Sequence, residues 1–82
     1  MYEAGKIKEI LESSLPGCTA QVTDDMNDGE HFSALVVSSA FDGINLVKQH
    51  QLVYGALGNL MKREIHALAL QTFTPDQWSQ RD

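Results

Sequence analysis

The chain has 82 residues, of which 43% are apolar and 21% charged, and six Lys or Arg face eleven Asp or Glu for a formal net charge of -5. That length leaves room for one domain, excluding a second catalytic lobe and large insertions, and the near-average composition suggests neither disorder nor a fibrous design. The negative balance repels polyanions at long range, which counts against nucleic acid without excluding a local basic patch.

Between Tyr2 and Leu15 the apolar residues Ile7, Ile10, Leu11 and Leu15 recur at helical steps, with Lys6, Lys8, Glu9 and Glu12 largely outside the stripe. Pro16-Gly17 stops that helix. From Cys18 to Thr23 the pattern alternates, placing Cys18, Ala20 and Val22 on one face of a half-buried strand. The polar connection Asp24 to Gly29 leads to a second strand, His31 to Ser38, and the two are expected to pair as an antiparallel hairpin.

Asp42-Gly43 punctuates the next join, and the spacing predicts a helix from about Ile44 to Met61. Its apolar stripe reads Leu46, Val47, Val53, Tyr54, Leu57, Leu60 and Met61, with His50 inside it, facing the core or its margin. The last strand, Ile65 to Phe73, is apolar on both faces, as expected of a covered or central strand joined to strand two by a right-handed helical crossover. Thr74-Pro75-Asp76-Gln77-Trp78 has the marks of a helix start, with Thr74 as N-cap, Pro75 at the first helical position and Gln77 completing a capping box. Trp78 is expected to cover one end of the core. The order is α-β-β-α-β-α, an α+β sandwich of helices on a three-stranded mixed sheet, in a single domain over residues 1–82.

No apolar run approaches the ~20 residues that span a bilayer, and Met1 to Gly5 lacks the features of a signal peptide, so no membrane association and a cytoplasmic location are expected. The lone cysteine, Cys18, permits no internal disulfide and cannot by itself hold a zinc or iron-sulfur site. Any metal must therefore recruit histidines, a partner's ligands, or both.

Three histidines are available: His31, His50 and His66. The plain reading of His50 is a buried imidazole bonded to a backbone carbonyl or a neighbouring side chain, and that of His31 is an exposed residue beside the hairpin loop. His66 is harder to dismiss, because a polar group in so apolar a strand must find a partner or sit at the sheet's rim. Enzyme templates fit poorly: the chain holds no G-x-S-x-G elbow, P-loop or H-E-x-x-H. Cys18 reads as a small apolar residue on the inner face of strand one, and Asp24 and Asp25 as turn residues rather than a general acid and base. The residues alone thus give a small cytosolic α+β binder.

The stretch "FDGINLVKQHQLVYGALGNLMKREIHALALQTFTPDQW", Phe41 to Trp78, closely resembles the BolA-like family, and "GEHFSALVVSSAF" ahead of it resembles the same family's second strand. The matching pieces are Phe41-x-Gly43, Val47-x-x-His50-x-x-Val53-Tyr54, Ile65-His66-Ala67-Leu68 and Thr74-Pro75-x-x-Trp78, in family order and spacing. The resemblance implies a KH-like fold of the class II topology. It also implies partnership with a monothiol glutaredoxin, sharing a two-iron two-sulfur cluster held on one side by the glutaredoxin cysteine and a glutathione thiolate, with BolA imidazoles on the other. No cluster is expected on the isolated protein, which would be a monomer or weak dimer.

The family's near-invariant histidine falls on His66, and the second ligand position, His or Cys in the loop before strand two, is matched by His31. On this reading a rigid strand holds His66 at the sheet's rim while His31, on a mobile loop, closes the site. Protonation of either ring removes its lone pair, so cluster retention is expected to weaken as the pH falls through the imidazole range. Some members of the family are described as DNA-binding transcriptional regulators, and the alternative role draws on Lys48, His50, Lys62 and Arg63, with Lys48 and Lys62 on roughly one side of a continuous helix. Many members show Arg-His-Arg where this chain has Gln49-His50-Gln51, a loss of two cations that weakens the DNA reading. The plain reading of Lys62 and Arg63 is a cationic helix C-terminus favouring the dipole.

Overall fold

The computed structural model describes residues 2–63, 65 and 67–81, residue 63 by its backbone alone. Helix α1, Ala4–Ser14, buries Ile7 and Leu11 and ends where Leu15 turns to extended backbone. Strands β1, Thr19–Asp24, and β2, His31–Val37, form the expected antiparallel hairpin, in register from Thr19 opposite Val37 to Asp24 opposite Phe32. A 3-10 turn, Ser39–Phe41, then leads to α2, Leu46–Leu57, and the short α3, Leu60–Arg63. Strand β3, Ala67–Phe73, returns parallel to β2, and α4, Pro75–Gln80, closes the described chain. The sheet order is β1-β2-β3, and the element order agrees with the KH-like arrangement expected from the resemblance.

Period-two alternation decides what the sheet buries. Ala20, Phe32, Ala34 and Val36 point under the helices and meet Ile7, Leu11, Phe41, Val53, Leu57 and Ile65 in one cluster. Each fully buried large side chain there contributes roughly 1.5–3 kcal/mol relative to exposure.

Several expectations need correction. Strand β3 lies at the sheet's edge, with β2 in the centre. Its outward residues Ala67, Ala69 and Gln71 are exposed, and its double-sided apolarity comes from small alanines that cost little in water. The second helix is two helices, because Gly58 adopts a φ of 57°, a left-handed conformation that suits glycine and breaks the run. Lys48 and Lys62 thus stand on separate helices, and their shared side, which required a continuous one, does not follow.

The buried stripe of α2 also differs, being Gln49, Val53 and Leu57, while Leu46, Val47 and Tyr54 are exposed. Gln49 wins the inward position because its amide finds partners there. Nε2 donates to the carbonyls of Ile44 at 3.0 Å and Phe41 at 3.4 Å, and Oε1 accepts from Thr72 Oγ1 at 2.7 Å. At the other end of β3 the Thr74 capping box forms as predicted. Trp78 lies outside the core cluster, tilted against Phe73 with ring centroids 5.4 Å apart and with Arg81 above both rings. It covers the end of β3 rather than the core.

Glu12 accepts from the Ala20 amide at 3.0 Å and Lys8 donates to the Ala20 carbonyl at 3.1 Å, so side chains of α1 satisfy the outward backbone groups of Ala20 at the β1 edge. That ion pair blocks strand addition at Ala20.

Candidate functional site

The connection between β1 and β2 is built around two carboxylates. Asp24 accepts from the amides of Asp28 at 3.2 Å and Gly29 at 2.8 Å, and Gly29, with φ 71°, takes a left-handed turn that favours glycine. Asp28 Oδ1 then accepts from the amides of Glu30 at 2.9 Å and His31 at 3.1 Å, while Oδ2 lies 2.8 Å from His31 Nδ1. The Glu30 amide bond, followed by the His31 ring, holds the Asp28 carboxyl down to about 2 from an ordinary 3.8.

A carboxylate held below its unfolded pKa adds stability that is fully present above the unfolded value and is lost as the pH falls through the folded one. The Asp28 contacts should therefore persist on acidification past 3.8 and fail as the pH falls through about 2. Amide chemical shifts of Glu30 and His31 in an acid titration should show this inflection near the lower value. An inflection at the ordinary carboxylate position would mean the bonds do not hold the charge.

His31 is a strand residue, which corrects its placement on a mobile loop. It opens β2, its carbonyl accepts from the Asp25 amide at 2.9 Å, and it pairs across the parallel register with Ala67, whose amide donates to Glu30 at 3.2 Å. The ring is partly open, its side chain being 45% exposed. His66, the residue before Ala67 in sequence, lies outside the described residues, as does the side chain of Arg63. No three His, Cys, Asp or Glu side chains converge as a metal cage among the described residues.

Cys18 stands away from this corner. It precedes Thr19, which pairs with Val37 six positions along β2 from His31, roughly 20 Å at ~3.3 Å per residue. Burial, and after it the charge of Glu12, raises its thiol pKa, so Cys18 stays protonated and half-buried beside the core. Asp24 is the last residue of β1, which corrects its placement in the turn, and Asp25 opens the turn, accepting from the Ser33 hydroxyl.

His50 is half-buried and set edge-on to Tyr54, with ring centroids 6.4 Å apart at 79°. Lys48 and Lys62 are exposed, but the outer face of α2 around His50 presents Leu46, Val47 and Tyr54 instead of further cations. Position 49 points inward, so of the two glutamines flanking His50 only Gln51 marks a surface position where a cation is missing.

Asp28 was missed in the sequence reading, although an Asp three residues before a His in an Asp- and Gly-rich turn is the signal that would have found it. Also unforeseen is a shallow concavity of about 500 Å³ on the sheet face away from the helices, lined by Gln21, Thr23, Ser33, Leu35, Ala69 and Gln71 among others. No ionisable group among the described residues lines it.

The family model of the BolA-like proteins matches residues 8–77, nearly the whole of this fold. The chain belongs to the BolA-like protein family. Among its BolA-like relatives is the acid stress protein IbaG of Escherichia coli, 33% identical over 94% of this chain and 89% of the relative. The DNA-binding transcriptional regulator BolA of Haemophilus influenzae is 44% identical over 58% of this chain and 47% of its own length. The solved structure of a BolA homologue from Coxiella burnetii superposes with a TM-score of 0.83 at 38% identity, covering 96% of this chain and 99% of that one. These relatives are named as regulators or stress proteins, and no helix among the described residues is long and apolar enough to cross a membrane.

Proposed function

We propose that this BolA-like chain is a non-enzymatic, cytoplasmic partner of a monothiol glutaredoxin, co-ligating a two-iron two-sulfur cluster through His66 and His31 for iron-sulfur trafficking or iron sensing. The observation that supports this reading is the parallel register of β2 and β3, in which the strand residue His31 stands opposite Ala67, the sequence neighbour of His66. His31 opens the central strand beside the start of the edge strand, at the sheet's rim, where a second protein has access. Neutral imidazole in place of thiolate makes such a cluster less negative and raises its potential. Imidazole ligands also lose their lone pairs on protonation, which suits a response to acidification, the condition in the name of the E. coli relative.

The test is anaerobic reconstitution with a monothiol glutaredoxin, glutathione, iron and sulfide, followed by visible absorption, circular dichroism and size. Wild type should give a distinct mixed complex, His66→Ala should abolish it, and His31→Ala should shift its spectrum and shorten its lifetime. A glutaredoxin spectrum and size unchanged by the wild-type protein would rule the reading out.

The second reading, a DNA-binding regulator, is favoured by the name of the Haemophilus relative. Exposed Lys48 and Lys62 are the described cations it would use, with His50 two residues after Lys48 on α2 and Arg63 following Lys62 in sequence. The apolar outer face of α2, the neutral surface residue Gln51 and the net charge of -5 all weigh against it. DNA retention that falls steeply with salt and is lost with Lys48→Ala would put this reading first.

A further inference from the structure

We propose that Asp28 is a positioning residue that fixes His31 as the Nδ1–H tautomer, making Nε2 the atom this ring offers to a metal. The inference rests on the reading of His31 as a ligand and adds the donor atom and the group that selects it. Asp28 Oδ1 already accepts two backbone amides, from Glu30 and His31, and Oδ2 lies 2.8 Å from Nδ1. A carboxylate only accepts, so the hydrogen on that contact belongs to the ring and sits on Nδ1. A neutral imidazole protonated there carries its lone pair on Nε2. Metal-ligating histidines commonly donate their other ring N–H to a carboxylate in this way, which sets both tautomer and ring orientation.

Asp28 is itself held in place, since its amide donates to Asp24 Oδ1 at 3.2 Å while its own oxygens fasten the start of β2. The carboxylate therefore approaches His31 from a turn braced on both sides, the arrangement a preorganised ligand requires. As a surface ion pair alone, the contact would contribute little.

Asp28→Asn separates the positioning role from simple loop capping. The carboxamide oxygen would keep the two backbone amides, which turns the NH2 group toward Nδ1. Nδ1 must then accept, and the ring hydrogen moves to Nε2 with no net change in protonation. The decisive measurement is the long-range ¹H–¹⁵N correlation of the His31 ring in the free protein, at a pH where the ring is neutral. Wild type should show a protonated Nδ1 and a lone-pair Nε2, and Asp28→Asn should reverse the two while amide shifts outside the turn stay unchanged. A protonated Nε2 in wild type, or an unaltered tautomer in Asp28→Asn, overturns the proposal.

A second arm measures dissociation of the glutaredoxin mixed complex. Asp28→Asn should weaken it about 10–100-fold, the usual effect of losing an outer-shell partner, and should have no further effect in a His31→Ala background. Weakening that persists in that background overturns the link through His31. If wild type shows the Nδ1–H tautomer but forms no mixed complex, the glutaredoxin reading and the metal half of this proposal fall together, while the tautomer assignment survives.

Discussion

Phe41→Ala should cost about 3–5 kcal/mol of folding stability, the full cost of deleting a buried ring. Phe41 is fully buried, yet it sits on a three-residue 3-10 turn rather than on a long helix or strand. The turn is pinned on both sides. Ser38 Oγ donates to the Pro16 carbonyl at 2.8 Å and accepts from the Ala40 amide at 3.1 Å, while the Phe41 amide donates to Ser38 at 3.2 Å. A turn fastened in this way cannot fold into the space the ring leaves, so the cavity stays open and its full cost is felt. A domain of this size is stable by only about 4–12 kcal/mol, so this one substitution removes a large share. Urea unfolding should show a much lower midpoint with an unchanged slope. A loss under about 1 kcal/mol would mean that the turn relaxes and that its hydrogen bonds do not hold the ring in position.

What the sequence revealed and what it hid follow from the same physics. The hairpin was legible because period-two alternation in Cys18 to Thr23 and the Asp- and Gly-rich join report burial and turn chemistry directly. The helix at Pro75 was legible because Thr74, Pro75 and Gln77 each meet a local backbone requirement whatever the tertiary context. Reading α2 failed because apolar periodicity assigns inward positions by side-chain type, whereas the helix turned Gln49 inward, where three partners awaited its amide, and left Val47 66% exposed. The edge position of β3 was hidden because Ala67 and Ala69 read as apolar although both are exposed, alanine costing little in water. At the candidate site, His31 was visible through its match to the family, but its strand placement and its bond to Asp28 depend on how the turn closes, which no residue pattern states. His66, the other histidine matched in that way, lies outside the described residues.

Gln49→Leu should destabilise the fold by about 2–4 kcal/mol even though leucine is apolar and nearly isosteric, because the cost lies in the groups left behind. Leucine leaves the buried Thr72 hydroxyl and the Ile44 carbonyl without the Gln49 amide, while the Phe41 carbonyl keeps the Ile44 amide at 3.4 Å. Thr72→Val alone removes one donor and strands only Gln49 Oε1, so it should cost less, about 1–2 kcal/mol. In the double variant both ends of the Gln49–Thr72 bond are gone and the hydroxyl is no longer buried unpaired. The combined loss should therefore fall below the sum of the single losses by 0.5 kcal/mol or more, the sign of a direct bond measured in a double-mutant cycle. Strict additivity would show that the 2.7 Å contact carries no coupling and that Gln49 is held inward by packing alone. The coupling has a structural consequence as well, since Gln49 joins the turn ahead of α2 to Thr72 of the edge strand. Loss of that link should loosen β3 against α2, and with it the strand that begins one residue after His66, so amide exchange along β3 in Gln49→Leu should quicken more than in β1.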